Sequence, residues 1–520
     1  MQQFTSKYKD QIYGVISGFD RLVFRGAPRR VSYPRGMEEY LWQNQIRFKD
    51  YQQHVKKTSE QLKEASLAPF RRRKLPVLYL RRGDADKEQI ARAIAEERGI
   101  RKGLVCGLSC LELSPTFEHC GTHMVMRMRP CLVIYHYRID PEWGWMNARL
   151  QTWFPFNIQV CLNGREWLAR QMDRERMRYC RQDNCFPWIQ DCNRAQELLQ
   201  QQERVNWAER LQSIARGLNP LHSQIFRHYP SDYYWSCFQS EWATDILFRP
   251  GELHRLEPLW LEHGLLSFSS PDVLRFLGQR VPLSGRIPAR FARQLTTDFK
   301  LRQEGARIKH RIGGNSVKAY GKAHTAAGDV FRVELTINQV EQFRVYRPQE
   351  GGPADELDWR PMRRGIADLH RRAEVCQKAN QRYLDALSQV DDSTRLQELI
   401  QPLEQPRQWK GKRVRALHPF EANDNCLLEL VNRGEFTVNG LRNRDLQRLL
   451  YHAPAKSRPE ARRRSAAVGR KLRLLRAHGL IQKVPRTHRY HLTKSGRLVI
   501  LAVLTAQRAS MAQLNIQVAA

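Results

Sequence analysis

The chain has 520 residues, room for roughly two to four domains, and its 41% hydrophobic content supplies ordinary packed cores, which excludes a disordered or fibrous class. Lys and Arg number 87 against 53 Asp and Glu, a formal net charge of +34. Self-repulsion of that size costs stability unless a polyanion offsets it, and nucleic acid (DNA, RNA or both) is the commonest such partner because each neutralised phosphate releases counterions. No run of about 18 apolar residues occurs, so no membrane partner is expected. The opening MQQFTSKY lacks a signal-peptide core. A cytoplasmic protein is expected, with its 11 cysteines as reduced thiols or metal ligands rather than a disulfide framework.

In chain order, residues 8–26 read as two strands about a turn at Gly18-Phe19-Asp20. Helical spacing runs over 36–67 through Met37, Tyr40, Leu41, Val55, Leu62 and Leu67, and 69–74 form a basic break. A short strand is expected at 76–80. An amphipathic helix follows at 84–98, capped by Asp84 or Asp86 and closed by Gly99. Residues 103–138 are strand-rich, and 145–162 alternate like a hairpin before a turn at Asn163-Gly164. Helices are expected at 165–179, 194–216, 230–248 and 254–278, the last broken at Ser269-Ser270-Pro271. Residues 305–346 read as successive antiparallel strands and 361–390 as a long helix. The expected domains are a mixed N-terminal region (1–220), a central region with basic antiparallel strands (221–400), a linker (401–424) and a C-terminal helical module (425–520).

The last module has helices at 442–451 and 462–478, with Val468, Leu472, Leu475 and Leu480 as an apolar stripe and Gly479 at the helix end. Strands at 480–484 and 489–493 flank a turn at Pro485-Arg486-Thr487-His488, and Lys494-Ser495-Gly496-Arg497 opens a final helix. Residues 456–497 carry 14 Lys or Arg and one acid, Glu460. Over residues 425–505 this order resembles bacterial winged-helix regulators of the MarR and ArsR type. The resemblance implies that the second helix enters the major groove, with Arg464, Arg470, Lys471 and Arg473 on or beside it. Arg486, His488 and Arg489 would form the wing that touches the phosphates. The fold class expected is therefore α+β, a mixed α/β body with a central antiparallel basic sheet and a C-terminal winged-helix domain.

In the central strands, Arg307, Lys309, Arg311, Lys318 and Tyr320 put a basic face with an interleaved aromatic on paired strands, suited to a backbone and a stacked base. A solvated basic sheet face is the alternative. The pattern N-x-x-K-x-Y followed by R-x-E resembles the core of rolling-circle replication initiators of plasmids and phages. That resemblance implies Tyr320 as the nucleophile on a phosphodiester, with Lys318 stabilising the phosphate charge. The histidine pair of those enzymes is not evident.

A metal-dependent nuclease needs two or three carboxylates converging on Mg2+. Glu241 and Asp245, i and i+4 on an expected helix, project from one side, and Asp20 and Glu334 lie at or near strand ends to complete a set. A turn aspartate and a surface acid pair are the alternatives. Mg2+ is the implied cofactor if the chain is catalytic. Cys106, Cys110, Cys120, His123 and Cys131 offer zinc ligands, although the first spacing is unusual and buried thiols explain them as well. Eight tryptophans between 143 and 242 are expected mostly in the core, with some placed to stack on unpaired bases. No Walker loop, nucleophile elbow or dinucleotide fingerprint occurs.

The phrases GFDRLVFRG (18–26) and LNGREWLAR (162–170) resemble a family of bacterial hypothetical proteins to which no activity is attached. That resemblance spans the chain and implies a bacterial setting linked to mobile elements. The leading expectation is a nucleic-acid-binding protein of a mobile or replicative element with phosphodiester chemistry in its body. The alternatives are a non-enzymatic winged-helix regulator and an RNA-binding partner of a structured RNA.

Overall fold

The computed structural model describes residues 2–81, 85–257, 260, 268, 270–279, 295–302, 305–349, 351–353, 355–388, 395–432, 436, 440–451, 453–484 and 487–508. Helices and a large mixed sheet make the α+β class plain. The chain forms two compact units. One comprises 14–247 with 334–377, and the other 1–13, 248–333 and 378–520. No helix among the described residues is long and apolar enough to cross a membrane.

The strands of the first unit begin with β1 (Ile12–Pro28), β2 (Val77–Tyr79), β3 (Gly103–Cys120), β4 (His123–Asp140), β5 (Gly144–Gln151) and β6 (Ile158–Asn163). A small hairpin, β7 (Tyr179–Gln182) and β8 (Cys185–Ile189), precedes β9 (Tyr233–Phe248). In the second unit β10 (Leu295–Arg302), β11 (Gly305–Ile312) and β12 (Asn315–Thr325) lead to β13 (Gly328–Ile337). The strand order is β13-β9-β1-β6-β5-β4-β3-β2 in the first unit and β10-β11-β12-β13 in the second. β2 and β3 run parallel, whereas β1–β6, β6–β5, β5–β4 and β4–β3 are antiparallel.

β1 is one uninterrupted strand, not two strands about a turn. Gly18 answers to packing: a Cβ there would lie 3.1 Å from Leu199 of the helix Cys192–Gln200. Residues 233–248 are likewise a strand, not a helix. Tyr233, Trp235 and Cys237 are buried while Tyr234 and Phe238 are exposed, a period of two, and the aromatic content of the run favours the pleated surface. Asn163-Gly164 is a helix start, not a hairpin turn. Asn163 Oδ1 accepts from the backbone N–H groups of Arg165 and Glu166, at 2.8 and 3.0 Å, and opens the helix Gly164–Arg174. Gly164 permits a close approach to β1, since a Cβ there would lie 1.8 Å from the Phe19 carbonyl oxygen. Asp86 caps the helix Lys87–Glu97, as expected.

In the second unit Phe4, Tyr8, Trp260 and Phe331 pack together, with ring centroids about 5 Å apart. Two small hairpins follow in the chain, β14 (Arg344–Pro348) with β15 (Leu357–Pro361) in the first unit and β16 (Arg407–Trp409) with β17 (Lys412–Val414) in the second. The C-terminal residues then form β18 (Leu441–Arg442), helices Asn443–Leu450 and Arg458–Ala477, β19 (Ile481–Lys483), β20 (Arg489–Leu492) and the helix Lys494–Arg508. These strands pair in the order β18-β20-β19. Ser457 caps the long helix, and Gly479 follows its end at φ +73, the left-handed position that glycine fills without strain. Leu446, Val468, Leu472, Leu475, Leu480 and Ile500 are the centre of this core. Leu403 and Leu417, from the stretch expected to be a linker, pack into it.

Candidate functional site

Three of the four candidate carboxylates come together. Asp20 on β1, Glu241 on β9 and Glu334 on β13 each bring an oxygen to within 4.8 Å of the others. All three belong to the first unit and stand on consecutive strands in the order β13-β9-β1. Asp20 and Glu334 are buried, at 4% and 3% exposure, and Glu241 is partly exposed. Among the described residues this is the only such group of three or more His, Cys, Asp or Glu.

The neighbouring contacts fix the register that makes this possible. Ser17 Oγ lies 2.7 Å from Thr244 Oγ1 and accepts the Trp242 indole N–H at 2.8 Å, which locks β1 to β9 beside the acids. Gln196 clamps the Ser17 peptide, accepting from its N–H and donating to its carbonyl at 3.0 Å. The Phe19 and Trp242 rings meet edge to face at 4.8 Å. From the β7–β8 turn, Asn184 Nδ2 donates to both carboxylate oxygens of Asp20, at 3.1 and 2.9 Å. Gln239 Nε2 donates to Glu241 Oε1 at 3.3 Å. Amides orient two of the three carboxylates. Carboxylate oxygens at such separations repel where they are ionised, and a divalent cation is one group that relieves the repulsion. An all-oxygen donor set is hard and suits Mg2+ or Mn2+ rather than zinc.

Asp245 stands outside the cluster. It lies on the same strand, fully buried, with Arg165 Nη2 at 3.0 Å from its Oδ2. Arg165 also donates to the Ala243 carbonyl at 3.0 Å. The close approach at Gly164 brings this arginine into the core, where it forms a buried ion pair with Asp245.

The cysteine and histidine set does not converge on zinc. β3 carries Cys106 and Cys120 some 45 Å apart by strand rise, and Cys120 pairs with His123 at the far hairpin end. Cys106, Cys110 and Cys131 are buried. Burial pushes the first two thiols up, to about 12 and about 11, so they stay protonated. Trp143, Trp167, Trp207, Trp235 and Trp242 are core residues, and the large exposed aromatics include Tyr234 and Phe238 instead.

The basic strands of the second unit pair Arg307 with Tyr320, Lys309 with Lys318 and Arg311 with Ser316. Arg311 meets Asp298 at 2.9 Å. Arg307, Lys309, Lys318 and Tyr320 are partly buried, and β13 is buried along its whole length, so its Arg332 and Glu334 do not belong to a solvated face. In the C-terminal core, Arg470, Arg473 and His488 are exposed, and Lys471 and Arg489 are partly so. Arg464 is committed elsewhere. It donates to the Ala453 carbonyl at 2.6 Å, pairs with Glu460 and stacks over Tyr451 at 4.7 Å. Exposed Arg462 and Arg463, not singled out from the sequence, extend the basic side of the same helix. Arg486 lies outside the described residues.

No family model and no curated protein matches the chain. Among solved structures, the di-domain ARO/CYC BexL from the BE-7585A biosynthetic pathway aligns with 9% identity over 54% of this chain and 88% of that one, at a TM-score of 0.13. That likeness carries no argument about fold or function.

Proposed function

We propose that this chain is a divalent-cation-dependent enzyme acting on nucleic-acid phosphodiesters. One observation carries the reading: Asp20, Glu241 and Glu334, far apart in sequence, meet within 4.8 Å with two of them buried. In this reading the three carboxylates hold Mg2+ or Mn2+. The cation supplies Lewis-acid polarisation of the phosphoryl oxygen. Asn184 keeps Asp20 turned toward the cluster, and Gln239 does the same for Glu241.

The net charge of +34 supports a polyanionic substrate. A winged-helix reading of residues 425–508 fits the order of helix, helix and paired strands, with Arg470 and Arg473 exposed on the long helix to meet the major groove and His488 beside Arg489 to meet the backbone. Such a module would deliver the chain to duplex nucleic acid, in keeping with a mobile or replicative element.

The test is incubation of the full chain with end-labelled single-stranded and duplex DNA and RNA, with Mg2+, Mn2+ or EDTA. Cation-dependent cleavage is expected, and Asp20→Asn, Glu241→Gln and Glu334→Gln should each lower it by about 100-fold or more, whereas Tyr320→Phe should retain it. A cation-independent covalent adduct lost in Tyr320→Phe would favour the tyrosine route instead. No cleavage and no adduct on any substrate would return the chain to a non-enzymatic binding role.

A further inference from the structure

Away from the acids, the sheet of the first unit carries an open cleft. Register places Arg25 on β1 opposite Gln159 on β6, Gln159 opposite Arg149 on β5, and Arg149 opposite Tyr135 on β4. Cross-strand partners share a face at intervals of about 5 Å, so these four side chains form a row across four strands. The row lines a cleft of about 360 Å3 with Asn157 and Phe238.

The two arginines differ in what they touch. Arg149 Nε donates to Glu112 Oε2 at 2.9 Å and its Nη2 to Ser114 Oγ at 2.9 Å. Tyr135 donates its hydroxyl to the other Glu112 oxygen at 2.7 Å. The guanidinium of Arg25 has no carboxylate and no hydrogen-bond acceptor among the described residues. Burial and the like charges of Arg149 and Arg364 push its pKa down. A guanidinium does not shed its proton, so Arg25 stays a cation on the wall of the cleft.

One further group says what kind of anion. Phe238 is 41% exposed, and the Arg364 guanidinium lies over its ring at 5.9 Å. Asn157 is 4% exposed and donates to Gln151 Oε1 at 3.4 Å, so it is part of the cleft wall. A cation without a carboxylate partner and an aromatic platform are what one nucleotide offers partners to: a phosphate and a base face.

We propose that this cleft holds one nucleotide of an unpaired nucleic-acid strand, with its phosphate against Arg25 and its base on Phe238. The proposal rests on a nucleic-acid substrate but not on the metal centre. A paired base is excluded because its faces are already stacked in the duplex.

The test is fluorescence anisotropy of the full chain, in EDTA at fixed salt, with labelled 15-nucleotide single strands of DNA and RNA and the matching duplexes. Arg25→Gln and Phe238→Ala should each weaken single-strand binding about 10-fold or more, with duplex binding changed less than about twofold and Phe238→Tyr close to wild type. A strand carrying 5-iodouracil should cross-link to the peptide that contains Phe238. A mononucleotide should compete far more weakly than the strand. Unchanged single-strand affinity in Phe238→Ala, a cross-link elsewhere, or a mononucleotide competing as well as the strand would each overturn the proposal. Phe238 is exposed, so its variant decides the matter even if Arg25→Gln fails to fold. Normal strand binding by both variants alongside Mg2+-dependent cleavage by wild type would sink the cleft and leave the metal centre standing. Loss of strand binding without any wild-type cleavage would do the reverse.

Discussion

Glu241→Gln should make the metal-free protein more stable, not less. Two full carboxylate charges 4.8 Å apart repel by about 3.5 kcal/mol at an effective dielectric of about 20. Glu241 takes part in two of the three pairs. It is the partly exposed member and its charge also attracts Arg21, so solvent screening and that attraction discount the gain on removing its charge to about 1–3 kcal/mol. The measurement is urea unfolding at pH 8 in EDTA, followed by tryptophan fluorescence. Mn2+ at a hundredfold excess over its Kd should then stabilise wild type by about 2.7 kcal/mol and leave the variant unmoved, closing or reversing the gap. The opposite sign would refute the reasoning. If the three acids were a structural hydrogen-bond network, the amide would cost stability in EDTA and the two proteins would respond alike to Mn2+.

Three other outcomes are expected. Arg165→Met removes the ion-pair partner of Asp245 in a fully buried site and should cost about 3–5 kcal/mol in urea unfolding, most of it recovered in Arg165→Met/Asp245→Leu; a loss under about 1 kcal/mol would contradict the burial of the pair. Burial, then Arg138, pushes His136 down to about 4, against about 6.5 in the unfolded chain, so the unfolded state takes a proton that the folded state refuses. Stability should therefore be flat above about pH 6.5 and fall toward pH 4, and His136→Gln should shallow that fall; an unchanged slope would place the acid sensitivity elsewhere. Duplex binding should weaken steeply with salt, Arg470→Ala and Arg473→Ala should each flatten the log–log slope by about 1, and Arg464→Ala should act on stability and not on that slope, which a salt titration of each variant reads directly.

The acids of the candidate centre are legible in the sequence, but their company is not. Glu241 and Asp245 stand four apart, a spacing that puts both on one side of a helix and equally on one side of a strand, so the local pattern identifies the pair without settling the element. What separates them is the strand rise, about 13 Å over four residues against about 6 Å in a helix, while the helix start at Asn163-Gly164 carries Arg165 to Asp245 and no signal near residue 245 announces it. Gly18 misleads in the same way. A glycine beside an aspartate reads as a turn, whereas this one makes room for Leu199 of a helix much later in the chain. The zinc set is spread out because β3 is long, a property set by its pairing with β4 from Gly103 to Cys120 and not by its cysteines. The aromatic content of Tyr233, Tyr234, Trp235 and Phe238 was the available clue to β9, and their alternating burial appears only in the fold.

Asp20 and Arg25 lie an odd number of residues apart on the uninterrupted strand β1, so their side chains leave it on opposite faces. A phosphate held at Arg25 is therefore not the phosphate presented to the carboxylates. The cleft acts as an anchor for a stretch of strand at a distance from the bond that reacts. That separation has a kinetic signature. Phe238→Ala and Arg25→Gln remove binding shared by ground state and transition state, so they should raise the apparent KM for a single-stranded substrate while keeping kcat within about twofold. Glu241→Gln, which acts where charge develops on the phosphoryl group, should lower kcat instead. Steady-state kinetics on one labelled strand, with the cation held saturating, resolves the two patterns. A fall in kcat in Phe238→Ala as large as that in Glu241→Gln would mean that the aromatic ring lies against the reacting nucleotide, and that the two faces of β1 do not divide the work.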